Sequence, residues 1–306
     1  MKRIHNMLVC LDLTDIDPFL IKYAAFMAGI FEAERVLFIH AIQAYDLPDK
    51  RKKSFEEVKA SLDRKIREEL DQLVDLRFRR DYGIEVITRI EEEDAAEGVI
   101  SFVEEDGIDL VMIGQKPGAD RKGLYGKKIA AHTASDILFV PEYTEPEIIT
   151  RALCAVDFSE VSEAAFEIAV RLFKKHRVHV LCYAVQDPST AYFPATTRKS
   201  AGKKQSGLEQ GYQKFLEKWD LKAEDFPCRI EAADSLLSEP ERLYGFAEEK
   251  EVQLVIIGAK GETETETSLL GNITETLRRM QTHIPIMIVK GGRKKGFLNY
   301  FGSGDP

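Results

Sequence analysis

Cysteine is scarce in this chain: four in 306 residues, none paired at a short spacing, which leaves no zinc knuckle or dithiol motif to be read. Cys10, Cys154 and Cys182 each stand alone inside an apolar run, and Cys228 stands alone too, so all four read as reduced, mostly buried thiols. Long apolar runs are lacking as well. None approaches the roughly 18 residues that a membrane span needs. The opening MKRIHNMLVCLDLTD has an apolar run too short for a secretory leader and cut by Asp12, so it reads as a first strand and the expected location is cytoplasmic. Excess positive charge is absent: 43 Lys and Arg against 52 Asp and Glu give a net charge of −9, so neither nucleic acid nor an anionic membrane is expected as partner. Catalytic signatures are missing too. There is no His-Glu-x-x-His, no nucleophile elbow and no Walker lysine. His176 and His179 straddle a helix end and a strand start, and carboxylates fall in patterns such as KIREELDQL that a solvated helix face explains. No catalytic residue and no metal-ligating set is expected.

What the chain does have is repetition. The segment from Met7 to Ala28 matches that from Ala152 to Phe173: an apolar run, an Asp, a hydroxyl N-cap candidate (Thr14, Ser159), then an amphipathic helix. VLFIHAI then matches VHVLCYAV, GIDLVMIG matches EVQLVIIG, and DILFVPE matches IPIMIVK. Asp12 to Asp157 and Gly126 to Gly271 are the same offset apart. Chance similarity among ordinary strands would not keep this order across nearly the whole chain.

Each half reads β-α-β-α-β-α-β-α-β. Strands are expected near 5–12, 35–42, 84–90, 108–113 and 136–141, then near 150–157, 177–185, 227–232, 252–258 and 285–290. Helices are expected near 17–31, 54–80, 94–106 and 127–134, then near 160–175, 206–220, 239–250 and 272–282. Such alternation implies an α/β fold: a doubly wound parallel sheet in each half, helices on both faces. The halves are assigned to residues 1–145 and 148–290, divided where TEPE breaks the periodicity at Pro146. The polar stretch Gln186–Gly207 reads as a long loop, mobile without ligand, and residues 291–306 as a mobile tail.

One loop carries a candidate site. Gly258 ends a strand, Gly261 follows after two residues, and Gly271 after nine more, with Asn272 and Ile273 opening a helix. Glycines let backbone N–H groups approach a phosphate, and a helix N-terminus adds free N–H groups and its dipole. The same spacing also describes a strand end, an acidic loop and a helix with no ligand. Glu262, Glu264 and Glu266 favour that reading unless a divalent cation bridges them.

The set of motifs resembles the universal stress protein family. The glycine spacing resembles that family's ATP-binding signature, AVDFSE its first strand with an Asp at the end, and THIPIMIVK its final Pro-led strand. The resemblance covers residues 4–141 and 151–290 and implies a tandem arrangement of two five-stranded sheets of order 3-2-1-4-5, Rossmann-like. It implies that the last strands pair within one chain as an intramolecular pseudo-dimer, with further homodimerisation open. In the second half it implies Asp157 at the adenine or ribose end and Ala184 framing adenine through backbone groups. Gly258, Gly261, Gly271, Asn272 and Ile273 would hold ribose and phosphates, with one ATP per chain, with or without Mg2+. Asn272 stands where the family usually has Ser or Thr, but keeps a donor and an acceptor.

The first half departs further. Pro117 takes the place of the second glycine, which removes an N–H, and eleven residues separate Gly114 from Gly126 against twelve between Gly258 and Gly271. Lys116, Arg121, Lys122, Lys127 and Lys128 could still attract an anion, but they read first as a solvated basic loop. The function expected is a non-catalytic, nucleotide-responsive stress or regulatory protein with an unnamed protein partner. The alternatives are an interaction module that has lost nucleotide binding and a slow ATPase.

Overall fold

The structure, a computed structural model, describes residues 3–41, 52–78, 83–91, 95–115, 123–142, 144, 148–158, 160–186, 209–232, 238–258 and 283–290. The first half runs β1 (Asn6–Leu11), α1 (Asp17–Phe31), β2 (Arg35–Ala41), α2 (Lys52–Arg77), β3 (Glu85–Glu91), α3 (Ala95–Glu105), β4 (Leu110–Gln115), α4 (Gly123–His132) and β5 (Asp136–Pro141). The second runs β6 (Arg151–Ala155), α5 (Glu160–His176), β7 (His179–Gln186), α6 (209–219), β8 (Cys228–Ala232), α7 (Glu239–Glu249), β9 (Leu254–Gly258) and β10 (Ile286–Val289). The helix expected near 272–282, the loop 187–208 and the tail 291–306 lie outside the described residues.

All ten strands join one sheet in the order β3-β2-β1-β4-β5-β10-β9-β6-β7-β8. Each half is thus a parallel 3-2-1-4-5 arrangement, and the halves meet through one antiparallel pair, β5 with β10. Phe139 lies opposite Ile286, and Ile137 opposite Ile288, so the two apolar last strands cover each other's edges as expected. Lys290 reinforces the seam. Its amide donates to Asp136 Oδ1 at 2.8 Å, and its Nζ donates to the Ala130 and Thr133 carbonyls at the end of α4, where a cation meets the negative end of the helix dipole.

The strands are apolar on both sides because both faces are covered. One continuous core runs across both halves on the α1, α2, α5 and α6 face, from Met7 and Val9 through Leu138 and Met287 to Cys182. The opposite face holds two separate cores, one around Leu8, Val111 and Ile137, the other around Leu153, Tyr183 and Val255. The shared core is tied across the halves by α5. Arg171, 8% exposed, donates from Nη2 to the Phe31 carbonyl at 2.6 Å, and His176 Nε2 lies 2.9 Å from the Ile30 carbonyl. Side chains from the second half thus cap the C-terminus of α1.

Two local expectations are corrected. Thr14 does not cap α1. The N-cap position falls on Ile16 and lacks a side-chain cap. Asp17 turns back instead and accepts from the amides of Asp12 and Leu13 at 3.4 and 2.7 Å, while the Thr14 hydroxyl donates to Asp12. The helix expected from residue 127 starts at Gly123, so Gly126 lies inside α4 and not at its opening. Packing explains that glycine: a Cβ there would stand 3.0 Å from Ile113 Cγ2 of β4.

Candidate functional site

In register, Ala155 of β6 lies between Tyr183 of β7 and Ile257 of β9. Asp157, Ala184 and Gly258 therefore come together at the carboxyl ends of three adjacent parallel strands, the crevice where doubly wound sheets bind ligands. Asp157 is exposed, Ala184 buried and Gly258 half-buried. Gly261, Gly271, Asn272 and Ile273 lie outside the described residues. The residue after each strand-end Asp is left-handed: Leu13 has φ 56° and Phe158 φ 61°. Bulky residues rarely adopt that conformation, and such outliers gather at ligand sites. The surroundings hold Phe158 there. Its ring meets Phe215 edge-on at 5.3 Å, and Gly211 of α6 leaves room for it, since a Cβ on Gly211 would come 2.8 Å from Phe158 Cβ.

Beside this crevice Tyr183 donates to Glu231 Oε2 at 2.6 Å, and burial together with that carboxylate pushes the phenol well above its ordinary range. Glu231 is also 2.6 Å from Arg229, whose guanidinium lies over Phe246, 4.9 Å from its centroid. The first half repeats the motif. Arg89 pairs with Glu91 at 2.5 Å and lies over Phe102 at 4.5 Å. The Arg-Ile-Glu triplet recurs in the sequence, so this repeated stack was open to discovery there and was passed over.

In the first half, the equivalent crevice encloses a cavity of about 280 Å3. Its apolar wall includes Cys10, Ile39, Val99, Ile113 and Ile129, and its polar groups are Asp12, Asp17 and His40. The register makes Ile39 the counterpart of Tyr183 and His40 that of Ala184. Gly114 is used for packing. Ile16, 2% exposed, lies against it so closely that a Cβ on Gly114 would be 2.9 Å from Ile16 Cδ1. His40 Nδ1 lies 3.0 Å from the Leu11 carbonyl. A carbonyl only accepts, so Nδ1 carries the hydrogen and Nε2 is the acceptor of the neutral ring. Burial pushes the Cys10 thiol up to about 12.

A larger cavity, about 450 Å3, lies between the halves beside the ends of α1 and α5. Its charged walls pair with one another: His5 with Glu34 at 2.8 Å, Lys175 with Glu32, and Lys174 with the Trp219 carbonyl. It is inter-half contact and offers little ligand chemistry. The three second-half thiols stand in one row, since Cys154 registers with Cys182 and Cys182 with Cys228 across β6, β7 and β8. Burial pushes Cys228 up to about 12 and raises Cys154 and Cys182 well above their ordinary range, which keeps them protonated and inert. No group of three metal-ligating side chains occurs among the described residues, and no described helix is long and apolar enough to cross a membrane.

Comparison with known proteins agrees with this architecture. The universal stress protein MJ0531 of Methanocaldococcus jannaschii is 29% identical over 142 residues, 45% of this chain and 81% of that protein. The crystal structure of a universal stress protein from Archaeoglobus fulgidus matches with a TM-score of 0.64 at 16% identity, covering 95% of this chain and 97% of the other. Protein PA1789 of Pseudomonas aeruginosa matches with a TM-score of 0.64 at 14% identity, covering 94% and 92%. At these identities the likeness is one of fold. A universal stress protein solved in complex with cAMP, 16% identical, covers 47% of this chain and 98% of its own, with a TM-score of 0.35. The profile of the universal stress protein family matches residues 3–141 and again 149–290, so the chain belongs to that family as two tandem copies of its domain.

Proposed function

We propose that the chain is a non-catalytic regulatory protein of the stress-response class that binds one adenine nucleotide, ATP, in its second half. The observation that supports this most is the meeting of Asp157, Ala184 and Gly258 at adjacent strand ends, next to a left-handed Phe158 held by packing. Asp157 accepts from the adenine or ribose end, the backbone at Ala184 frames the base, and Gly258 lets ribose approach. Gly261, Gly271, Asn272 and Ile273 supply N–H groups and a helix start to the phosphates. A bound Mg2+ would offset phosphate charge against the acidic loop of Glu262, Glu264 and Glu266.

The first half supports single occupancy. Pro117 withholds an N–H, and Ile16 covers the surface of Gly114. A missing charge-assisted hydrogen bond forfeits roughly 1.5–3 kcal/mol, about tenfold or more in affinity.

Titration calorimetry of the intact chain with ATP, with and without Mg2+, tests this. One site per chain is expected, with no ADP formed on prolonged incubation. Gly261→Val, which sets a branched side chain in the phosphate loop, is expected to abolish binding while the melting temperature holds. Two equivalent sites overturn the asymmetry. No binding hands the second half to protein interaction, and steady ADP release makes it an ATPase.

A further inference from the structure

The two strand-end turns share a backbone shape and are held in it by different means. Leu13 and Phe158 are both left-handed, at φ 56° and 61°, a region that neither side chain favours by itself. In the first half the hold is local. Asp17, on the helix that follows the turn, accepts from the amides of Asp12 and Leu13 through its carboxylate. The offset that carries Asp12 to Asp157 carries Asp17 to Ser162, so a hydroxyl stands at this place in the second half. A hydroxyl offers the turn a neutral acceptor, whereas charge-assisted bonds are roughly twice as strong.

The second half draws on another helix. Phe158 is half-buried and leans on α6: its ring meets Phe215 edge-on at 5.3 Å and Tyr212 at 6.2 Å. Phe215 in turn meets Phe166 of α5 at 5.2 Å, and Phe166 is fully buried, so α6 is itself firmly seated. Gly211 closes the contact. A Cβ there would come 2.8 Å from Phe158 Cβ and 3.0 Å from Cγ. The helix thus bears on the atom of Phe158 that its backbone fixes, which has no rotamer to escape into. A shift of α6 toward the turn passes to the Phe158 backbone and, across one peptide, to Asp157. Hydrogen bonds weaken steeply as their geometry is lost, so a displaced Asp157 carboxylate holds a ligand less well.

Taking the second-half crevice as the nucleotide site, we infer that α6 sets its affinity: the contact of Gly211 with Phe158 fixes the left-handed turn and so places the Asp157 carboxylate for the ligand. Phe158 is a positioning residue and acts through Asp157, whatever its own distance from the nucleotide. The corresponding turn of the first half takes its hold from Asp17 instead.

ATP is the probe, titrated into the full chain and its variants well below their melting temperatures, with circular dichroism certifying each as folded. Gly211→Ala sets a Cβ against Phe158 and is expected to weaken ATP about threefold to tenfold. Gly245→Ala, in α7 with nothing within 4 Å of the added Cβ, is expected to leave ATP affinity unchanged. Phe158→Gly keeps the left-handed backbone but removes the side chain that α6 bears on, and is itself expected to bind ATP more weakly than the parent. In that background Gly211→Ala meets no Cβ and is expected to change nothing further, a non-additivity that general destabilisation would not produce. In the nucleotide-free chain the amide resonances of Asp157 and Phe158 are expected to shift in Gly211→Ala and to stay in place in Gly245→Ala. That readout needs no ligand, so a parent chain that binds no ATP sinks the nucleotide reading alone, and the resonances still decide the contact. Unshifted resonances, parent-like ATP affinity in Gly211→Ala, or equal weakening by Gly211→Ala in both backgrounds overturns the inference. Where Phe158→Gly does not fold, the first two decide it.

Discussion

Replacing Gly211 with alanine is expected to cost stability although the residue is helical. In an open helix position the exchange gains about 0.8–1.0 kcal/mol, because glycine carries more backbone entropy into the unfolded chain. Gly245 of α7 and Gly29 of α1 are such positions, with nothing within 4 Å of an added Cβ. At Gly211 the added Cβ meets Phe158 Cβ at 2.8 Å, Cγ at 3.0 Å and Cδ2 at 3.2 Å. Phe158 Cβ is fixed to a backbone at φ 61° and cannot swing aside, so the clash must move α6 or the Asp157–Phe158 turn. Overpacking of this kind costs about 1–3 kcal/mol, which outweighs the helical gain and leaves a net loss of about 1 kcal/mol. With 306 residues and about 2.1 cal/mol/K of unfolding entropy per residue, 1 kcal/mol moves the melting temperature by about 1.6 °C. Gly245→Ala should therefore raise the midpoint by about 1.5 °C and Gly211→Ala lower it by a similar amount. A half that unfolds by itself would double both shifts and keep their signs. Calorimetric melts of the two variants beside the parent decide it. A Gly211→Ala midpoint that rises with that of Gly245→Ala refutes the packing argument and the held geometry of Phe158 with it.

The thiols predict alkaline sensitivity. Burial raises their folded pKa values above the ordinary 9.0, to about 12 for Cys10 and Cys228 and in the same direction for Cys154 and Cys182, so the stability they contribute is whole below pH 9 and falls as pH rises toward 12. At pH 10 the loss is on the order of 1 kcal/mol per thiol, and Cys154→Ala with Cys182→Ala should remove a measurable part of the drop in urea midpoint between pH 8 and 10; an unchanged drop contradicts the burial of these protons. Arg171→Met removes the charged donor from the Phe31 carbonyl and should cost about 2 kcal/mol, lowering the melting temperature by about 3 °C; a shift below 1 °C, on the order of measurement error, would show that water replaces the guanidinium. Tyr183→Phe deletes the bond to Glu231 and should destabilise by about 1.5–3 kcal/mol, readable as faster amide exchange in β7 and β8 with β2 and β3 unchanged; uniform exchange across both halves would contradict a local role.

The repeat was legible because it rests on local patterns, and the family resemblance added the strand order and the seam between the halves. Apolar runs such as LVMIG and LVIIG can only be strands buried on both faces, and their ordered recurrence dictates two copies. The pairing of β5 with β10 was implied by the resemblance, and it covers two apolar strands that would otherwise be edges. Side-chain consequences of tertiary register were not legible. Cys154, Cys182 and Cys228 look like scattered residues in sequence, and only the parallel register of β6, β7 and β8 lines them up. Thr14 follows the usual cap preference, yet α1 opens two residues later with Ile16 at the N-cap position, and the Thr14 hydroxyl donates to Asp12, which a cap rule cannot see. Gly126 matched a ligand-loop spacing but owes its identity to Ile113, a neighbour on another element.

Why one scaffold can carry two crevices with different walls follows from which atoms carry the fold and which line the crevice. The sheet is specified by backbone hydrogen bonds and by the inward side chains of the strands, which both halves keep: Met7 with Val36 and Leu110 in one, Ala152 with Val180 and Leu254 in the other. The crevice is lined by residues at and just past the carboxyl ends of the strands, where the ladder fixes backbone pairing but not side-chain identity. There the copies differ: Ile39 against Tyr183, and His40 against Ala184. Exchanging Tyr for Ile in the wall removes the phenol that holds Glu231, and exchanging Ala for His adds a ring beside the Leu11 carbonyl. Neither change touches a backbone bond of the sheet, so the strand order survives both while the lining of the crevice changes. Divergence between the halves is therefore expected to concentrate at the carboxyl ends of β1, β2 and β4, while the seam and the shared core, where either half's error would unfold both, stay alike.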